Sequence, residues 1–310
     1  LIDIANRGSE IAILAIGMTL TIAVSAGTDI SVGSVMALVA SCCCTSLVGY
    51  GISSASAVKH PIIFGVLFGI FIGGICGCFN GFMVSKLKVQ PMVATLVLYT
   101  AARAIGLVVS NNQITYVRVK EYKYLGNFWH IGKWECPIPT PIFVAIICVI
   151  LATILLKKTA LGMYIQAVGI NPKAARIMGI NSALIIFICY VICGLGAGVA
   201  GTVASSRIYS ADSNNIGLNF EMDAILAVAL GGNSLAGGKF SLAGSIIGAY
   251  TIQALSTTLL AFGVKTEQAP VIKAIVIIII VAIQAPAIQS YIKNRKARKA
   301  SATGGEAVAK

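Results

Sequence analysis

The stretch PIIFGVLFGIFIGGICGCFNG occupies residues 61–81 and contains no charged side chain. A helix needs about 20 mostly apolar residues to span a bilayer, so this stretch is long enough to cross one. Glycine recurs at every fourth position, which places small residues on one face and would let another helix approach closely. We therefore expect a membrane helix that packs through Gly65, Gly69, Gly73, Gly77 and Gly81.

The rest of the chain repeats this apolar character. Of its 310 residues, 57% are hydrophobic and 11% are charged, whereas a soluble domain has about 25% charged residues. The chain is therefore predicted to be an all-α polytopic membrane protein with about nine transmembrane helices. The apolar runs that predict them lie at 9–26, 31–48, 61–80, 92–110, 140–156, 183–206, 222–234, 242–262 and 270–288.

The span at 222–234 is short for a bilayer-crossing helix and ends in a glycine-rich stretch. Short, glycine-interrupted segments are typical of half-helices, whose free backbone groups must face protein or a water-filled cavity. We therefore expect broken or short half-helices in this chain. The candidates for the broken helix or the translocation path are Gly231, Gly232, Asn233 and Ser234.

Loop charges predict the orientation of the spans. One set of loops carries 13 basic and 2 acidic residues and comprises 27–30, 81–91, 157–182, 235–241 and 289–310. The alternating set carries 8 basic and 6 acidic residues and comprises 1–8, 49–60, 111–139, 207–221 and 263–269. Basic residues accumulate on the cytoplasmic side, so the first set is predicted to be cytoplasmic. The net charge of +13 is thus explained by topology, and nucleic-acid binding is not expected.

Separate predictions apply to the N-terminal and C-terminal ends of the chain. The first residue is Leu1 rather than Met, and no basic region precedes the first apolar run, so we expect a missing first helix and ten helices in all. Residues 1–288 are predicted to form one transmembrane domain. The basic tail at 289–310 is predicted to be cytoplasmic and disordered.

Little in the sequence could carry covalent chemistry. The ten acidic residues are scattered, only two histidines are present, and most of the nine cysteines lie in apolar runs. We therefore expect no enzyme activity, no metal site and no cofactor. The GxGxxG pattern at 196–201 lies in an apolar helix without a preceding strand, and AGGKF at 236–240 lacks the Ser/Thr of a phosphate loop. An ATP-driven process would need a partner to hydrolyse ATP.

Polar side chains within or beside the apolar spans are functional candidates, because they are costly in hydrocarbon. Asp29, Asn80 and Arg103 are taken as candidates for the translocation path. For Arg103, a structural ion pair and a pathway role remain equally open. Glu221 and Asp223 open a short span, where acidic residues are stabilised by the helix dipole, so a structural role is favoured for both.

The loop at 157–182 contains a predicted short helix. Asn171 can cap its first turn with Pro172 at the first helical position, and Gly179 can end it. Such a helix is suited to docking on another protein, and a surface helix that merely joins two spans is the alternative. Ala174 and Ala175, small residues in its middle, are expected to fit against the docked surface.

Four stretches together resemble the ribose and simple-sugar family of ABC importer permeases. They are AIGMTL at 15–20, GTDISVGS at 27–34, the loop from Ala167 to Ile180, and GGNSLAGG at 231–238. They occur in family order and cover nearly the whole chain. Three further stretches look most like the galactofuranose-type permease, namely KKTALGM at 157–163, ADSNNIGL at 211–218 and QPMVATL at 90–96.

The resemblance implies a permease subunit in the bacterial inner membrane that imports a simple sugar such as galactofuranose, ribose or a galactose-like sugar. It implies a second permease subunit, the same or different, a cytoplasmic ABC ATPase and a periplasmic sugar-binding protein as partners. It also implies that the loop helix is the coupling helix that sits on the ATPase. The matching residues are Gly169, Asn171, Ala174, Ala175, Arg176, Gly179 and Ile180.

An ion-gradient-driven secondary transporter is the main alternative. Such a protein would want acidic residues or histidines deep in its spans, and these are scarce here. A membrane scaffold without a transport role is disfavoured by the predicted broken helices.

Overall fold

The computed structural model describes residues 2–131, 134–265 and 268–284. Within these residues the helices are α1 (Ile2–Ser25), α2 (Val32–Val48), α3 (Ile62–Ser85), α4 (Pro91–Val109), α5 (Lys120–Lys123), α6 (Thr140–Lys158), α7 (Leu161–Ile170), α8 (Pro172–Ile177), α9 (Ser182–Ile208), α10 (Phe220–Leu230), α11 (Leu242–Ala261) and α12 (Ala269–Gln284). The strands are β1 (Ser54–Ala55), β2 (Thr115–Val117), β3 (Phe128–Ile131), β4 (Trp134–Pro139) and β5 (Ser210–Ala211).

Within the described residues a helix lies at each of the nine predicted spans, although the last span, 270–288, extends beyond them; this confirms the all-α polytopic prediction. Five helices in the described part are long and apolar enough to cross a membrane, namely α1, α3, α4, α6 and α9. The short seventh span is α10, an 11-residue helix, as expected of a half-helix. The chain divides into two compact units, 1–254 and 255–310, and α12 belongs to the second. The predicted tail at 289–310 lies outside the described residues.

Helix α1 forms the centre of the first unit. From Ile11 to Val24 it carries no charged residue and is apolar on nearly all faces, and a helix of that kind is buried on all sides. Leu14, Met18 and Leu20 are completely or almost completely buried, and α1 contacts α6, α7, α9 and α10. By contrast α3, α4 and α6 expose one apolar side, for example Phe71 and Leu151, which is the side expected to face lipid.

The glycine face of α3 packs against α9. A Cβ atom added to Gly73 would lie 2.5 Å from the carbonyl oxygen of Gly194 and 2.8 Å from Cα of Gly198, and one added to Gly77 would lie 2.6 Å from the carbonyl oxygen of Tyr190. The two backbones therefore approach too closely for any side chain larger than hydrogen at these positions. Glycines from both helices meet at this crossing.

The loops meet in two groups. At one end, called here the sheet end, β2 pairs with β1 in parallel and with β5 in antiparallel orientation, so that the loops containing residues 54, 115 and 210 are tied together. Strands β3 and β4 form a hairpin. At the other end, called the junction end, the Gly238 amide donates to the Ala23 carbonyl at 2.9 Å. Residues 54, 115 and 210 all belong to one of the two alternating loop sets, and Gly238 belongs to the other.

Candidate functional site

Between α9 and α10 the chain forms an irregular segment inside the first unit, called here the broken segment (residues 212–219). After β5, residues 212–219 form turns instead of a helix. The Ser213 hydroxyl lies 2.6 Å from the Ser41 hydroxyl, and a Cβ added to Gly217 would strike the backbone of Gly33. Ser41 lies seven positions before Val48, the residue at the sheet end of α2, and Gly33 lies 15 positions before it. At a rise of 1.5 Å per residue, the broken segment contacts α2 at distances of about 10 Å to about 22 Å from Val48.

Arg103 holds this broken segment from α4. Its Nη1 donates to the carbonyl oxygens of Ser213 at 2.7 Å and of Asn214 at 2.9 Å. Its guanidinium also lies over the Tyr99 ring, 5.9 Å from the centroid. The Nε and Nη2 atoms are buried and have no partner among the described residues. These contacts give Arg103 a structural role, and contact with substrate stays a prediction.

Glu221 and Asp223 lie in the first turn of α10, as their positions in the sequence predict. Both are buried. The Glu221 carboxylate lies against Gly33, where an added Cβ would collide with it. This start of α10 is therefore packed directly on α2, inside the first unit.

Asp29 and Asn80 belong to one buried cluster at the turn between α1 and α2. The Asp29 Oδ1 atom accepts from the Ser31 hydroxyl at 2.6 Å and from the Ser31 amide at 3.0 Å. The Asn80 Nδ2 atom donates to the Ser31 hydroxyl at 2.9 Å and lies 3.4 Å from both Asp29 carboxylate oxygens. These hydrogen bonds attach the turn between α1 and α2 to α3. The assignment of both residues to the translocation path stays a prediction.

The glycine-rich stretch at 231–238 makes the turn from α10 to α11. Asn233 is almost completely buried, and its Nδ2 atom donates to the Ser245 hydroxyl at 2.8 Å and to the Val228 carbonyl at 3.1 Å. Gly231 ends α10, Gly232 follows with φ +78°, and Ser234 is exposed. The amide of Asn233 therefore fixes the end of the half-helix against the next helix.

The predicted short helix in the 157–182 loop is α8. The Asn171 Oδ1 atom accepts from the amides of Lys173 at 3.0 Å and Ala174 at 3.1 Å, as expected of a cap. Pro172 is the first residue of α8, and Gly179 follows it with φ +84°. Helix α7 in the same loop was not predicted, because its apolar residues make no recognisable span of their own.

Ala175 differs from the expectation that it faces a docked protein. It is 1% exposed and packs in a cluster with Leu20, Val24 and Ile185, whereas Ala174 is exposed. Consecutive residues of a helix point in different directions, and here Ala175 faces the interior of the subunit while Ala174 faces outward. The outward side of α8 instead presents apolar and basic side chains: Ile177 and Met178 are 89% and 69% exposed, and Lys173 and Arg176 are exposed too.

Gly169, at the end of α7, joins this loop to the rest of the junction end. A Cβ added to Gly169 would collide with the Ala23 carbonyl and would lie 2.8 Å from the Gly238 amide. The last turn of α1, the loop before α8 and the glycine-rich turn are therefore in direct backbone contact at one point.

Several polar groups were not found from the sequence. Arg207 pairs with Glu10, and the Tyr122 hydroxyl lies 2.6 Å from the Ser205 hydroxyl, beside the thiols of Cys43 and Cys44. Each of these contacts joins positions at least 78 residues apart, so spacing along the sequence gives no signal for it. Asn214 and Asn215 were noted only within the stretch 211–218 that carries the resemblance, and Asn219 was not noted.

Comparison with known proteins places this architecture. The family described as branched-chain amino acid transport system, permease component, matches residues 1–281. The galactofuranose transporter permease protein YtfT of Escherichia coli is 40% identical over 96% of this chain and 83% of its own length. The fructose import permease protein FruF of Bifidobacterium longum is 38% identical over 100% and 84%.

The ribose import permease protein RbsC of Escherichia coli is 37% identical over 91% of this chain and 84% of its own length. Among solved structures, PsaBC from Streptococcus pneumoniae, in complex with a Fab, shares the fold with a TM-score of 0.50 at 13% identity and 94% coverage of both chains. The resemblance to sugar ABC importer permeases is thereby confirmed, and the chain belongs to this family of permease components.

Proposed function

We propose that this chain is the transmembrane permease subunit of an ATP-driven importer for a simple sugar such as galactofuranose, ribose or a galactose-like sugar. Its sugar permease relatives support the substrate class. The subunit would form the translocation path and would couple it to a separate ATPase through the 157–182 loop. That partner ATPase would hydrolyse the ATP, because the sequence of this chain contains no phosphate-binding loop.

The observation that carries this proposal is the outward face of α8. Ile177 and Met178 expose apolar side chains beside the basic residues Lys173 and Arg176. This face lies at the end of the subunit that the positive-inside rule assigns to the cytoplasm. An apolar patch rimmed by charges is the usual composition of a protein interaction site.

The contacts behind α8 support a coupling role. Ala175 anchors α8 in the cluster that contains Leu20 and Val24 of α1, and Gly169 abuts both Ala23 and Gly238. A displacement of α8 by a closing ATPase would therefore act on the end of α1 and on the turn that ends α10. Packed helices shift between discrete arrangements, which suits an all-or-none transport step.

The two ends of the subunit would lie on opposite sides of the membrane and would meet different partners. The junction end and the 289–310 tail would be cytoplasmic, and the sheet end would be periplasmic and would receive a sugar-binding protein. A second permease subunit, identical or different, would complete the path in the bacterial inner membrane.

ATP-dependent uptake tests the proposal. The chain would be reconstituted in proteoliposomes with the ATPase and the sugar-binding protein encoded beside its gene, and uptake of radiolabelled ribose, galactose and galactofuranose would be measured. We expect uptake that requires ATP and binding protein and that vanadate abolishes. Uptake that persists without ATP and collapses with an ionophore would instead identify a secondary transporter.

A further inference from the structure

The broken segment between α9 and α10 displays side-chain amides at membrane depth. Its inner side is packed, since Ser213, Ile216 and Gly217 are buried. Its other side is exposed and carries Asn214, Asn215 and Asn219. Counted from Val48 at the sheet end of α2, the contacts of Ser213 with Ser41 and of Gly217 with Gly33 lie at about 10 and about 22 Å. We infer from these distances that the segment lies within a hydrocarbon layer about 30 Å thick.

The backbone that carries these amides is held in place. The Asp212 carboxylate accepts from the Asn214 amide N–H at 2.9 Å and from Asn215 Nδ2 at 2.6 Å. Arg103 holds the carbonyls of Ser213 and Asn214 from α4. The side-chain amides of Asn214 and Asn219 have no hydrogen-bond partner within the residues that the structure describes. These two side-chain amides are therefore exposed on a backbone that other groups hold in place.

Lipid cannot provide hydrogen-bond partners for these exposed amides. An amide in contact with hydrocarbon leaves two donors and an acceptor unpaired, and irregular backbone at membrane depth occurs only where it meets protein or a water-filled cavity. A monosaccharide offers what the face lacks, because each hydroxyl both donates and accepts. The exposed side chains of Leu218 and Met222 beside the amides are suited to the C–H faces of a sugar ring. Uncharged contacts also allow the sugar to leave again, as conduction requires.

We propose that Asn214 and Asn219 form a sugar-contacting face of the translocation path, with the Asn215 amide held beside them by Asp212. This inference rests on the proposed function and adds the residues that meet the substrate between the binding protein and the cytoplasm. The ligand class is a neutral polyhydroxylated sugar.

Two variants remove the amides with little disturbance of the backbone. Asn214→Leu is compatible with the exposed turn, and Asn219→Gly suits the φ of +65° at that position. Thr100→Val is the control, since Thr100 is an exposed polar residue of α4 whose hydroxyl bonds to the Val97 carbonyl of its own helix. In proteoliposomes with saturating sugar-loaded binding protein, we expect the double variant to lose at least tenfold in uptake rate and Thr100→Val to match the parent chain.

The outcomes separate this inference from the proposed function. If the parent chain shows no ATP-dependent sugar uptake, the proposed function fails. If the parent transports and the double variant transports equally well, the sugar-contacting face is refuted. A double variant that no longer assembles with its second permease subunit would make this face a subunit interface, which also overturns the inference.

A chemical measurement covers a double variant that folds poorly. In the assembled transporter, Asn214→Cys should react with a hydrophilic methanethiosulfonate reagent, above the background of the native cysteines, and saturating sugar should slow that reaction. Thr100→Cys should stay unreactive, because we expect this exposed side of α4 to face lipid. An unreactive cysteine at position 214 would contradict a water-filled path along this face.

Discussion

The guanidinium of Arg207 holds the carboxylate of Glu10 through two hydrogen bonds, from Nε to Oε1 at 2.8 Å and from Nη2 to Oε2 at 3.2 Å. Glu10 is completely buried, and the Arg207 side chain is 19% exposed. The pair joins α1, the central helix, to the last turn of α9 beside the sheet end. Asn127 adds a hydrogen bond from Nδ2 to the Arg207 carbonyl at 3.3 Å.

The loss of one partner of this pair should be more harmful than the loss of both. Arg207→Met leaves a carboxylate buried without its cation, and we expect a loss of about 3–5 kcal/mol in stability. The double variant Glu10→Leu/Arg207→Met replaces the ion pair with apolar side chains and should recover much of that loss. Thermal unfolding of the purified chain in detergent measures both effects.

Arg118→Met is the matched control for this comparison. Arg118 is exposed and lies over the Tyr116 ring, 5.8 Å from its centroid, so its removal should shift the midpoint little. Equal destabilisation in the single and double variants would show that the buried pair has no energetic coupling.

The topology can be tested at two exposed lysines. Lys120 lies in α5 near the sheet end and Lys173 lies in α8. With 13 basic and 2 acidic residues in one set of loops and 8 and 6 in the other, the positive-inside rule puts Lys120 in the periplasm and Lys173 in the cytoplasm. A membrane-impermeant maleimide should label Lys120→Cys on intact cells. It should label Lys173→Cys, and a cysteine placed in the 289–310 tail, only after permeabilisation.

The parent chain provides the background for this labelling, since Cys78 is exposed. Equal labelling of both positions from outside would refute the assigned orientation.

The glycine face of α3 should tolerate no side chain at its closest contact. Gly73→Ala places a methyl group 2.5 Å from a backbone oxygen of α9, which cannot rotate away, so we expect a loss of about 1–3 kcal/mol. The larger change Gly73→Leu should prevent assembly of a detergent-stable transporter. The yield of monodisperse complex and its unfolding midpoint measure these effects.

Gly74→Ala tests whether the contact itself matters. Gly74 is the next residue of α3 and is also buried, but its added methyl would meet only the Leu195 side chain, which can move and whose Cδ2 atom lies at 3.1 Å. It should behave nearly like the parent chain. If Gly73→Leu assembles and transports normally, the glycine face is not a packing surface.

The sequence predicts the helices well because a bilayer imposes one strong rule. About 20 apolar residues are needed for each crossing, and in the part of the chain that the structure describes a helix lies at each predicted span. Local signals were also readable, such as the Asn171 cap and the glycine spacing of α3, since the residues concerned are neighbours on one element. The ends of the chain are different, because their predictions concern residues outside the described part.

Contacts between distant segments left no such signal. The sheet that joins residues 54, 115 and 210 consists of strands of two or three residues, too short for any alternation to be recognised. Tyr122 is completely buried although it lies in a polar loop, because its four-residue helix inserts between α2 and α9. The inward direction of Ala175 likewise depends on Leu20 and Ile185, which are far away in the sequence.

Two adjacent alanines of α8, Ala174 and Ala175, should respond differently to the same substitution, because one faces outward and the other inward. Ala174→Glu adds bulk and charge to the outward face, and that charge would have to be desolvated when the ATPase docks. We expect normal insertion, a normal unfolding midpoint and normal docking of the loaded binding protein. Uptake and sugar-stimulated ATPase activity should nevertheless fall at least tenfold.

Ala175→Glu should instead damage the subunit itself. Its carboxylate would be forced into the cluster of Leu20, Val24 and Ile185, at a cost of several kcal/mol for an unpaired buried charge, so the yield of folded chain should fall before any question of coupling arises. Ala174→Ser, which adds only a hydroxyl to the exposed position, should transport like the parent and so serves as the control. Full uptake with an unaltered ATPase response in Ala174→Glu would refute the assignment of residues 169–180 as the coupling segment, because the outward face of α8 is the surface through which an ATPase would have to act.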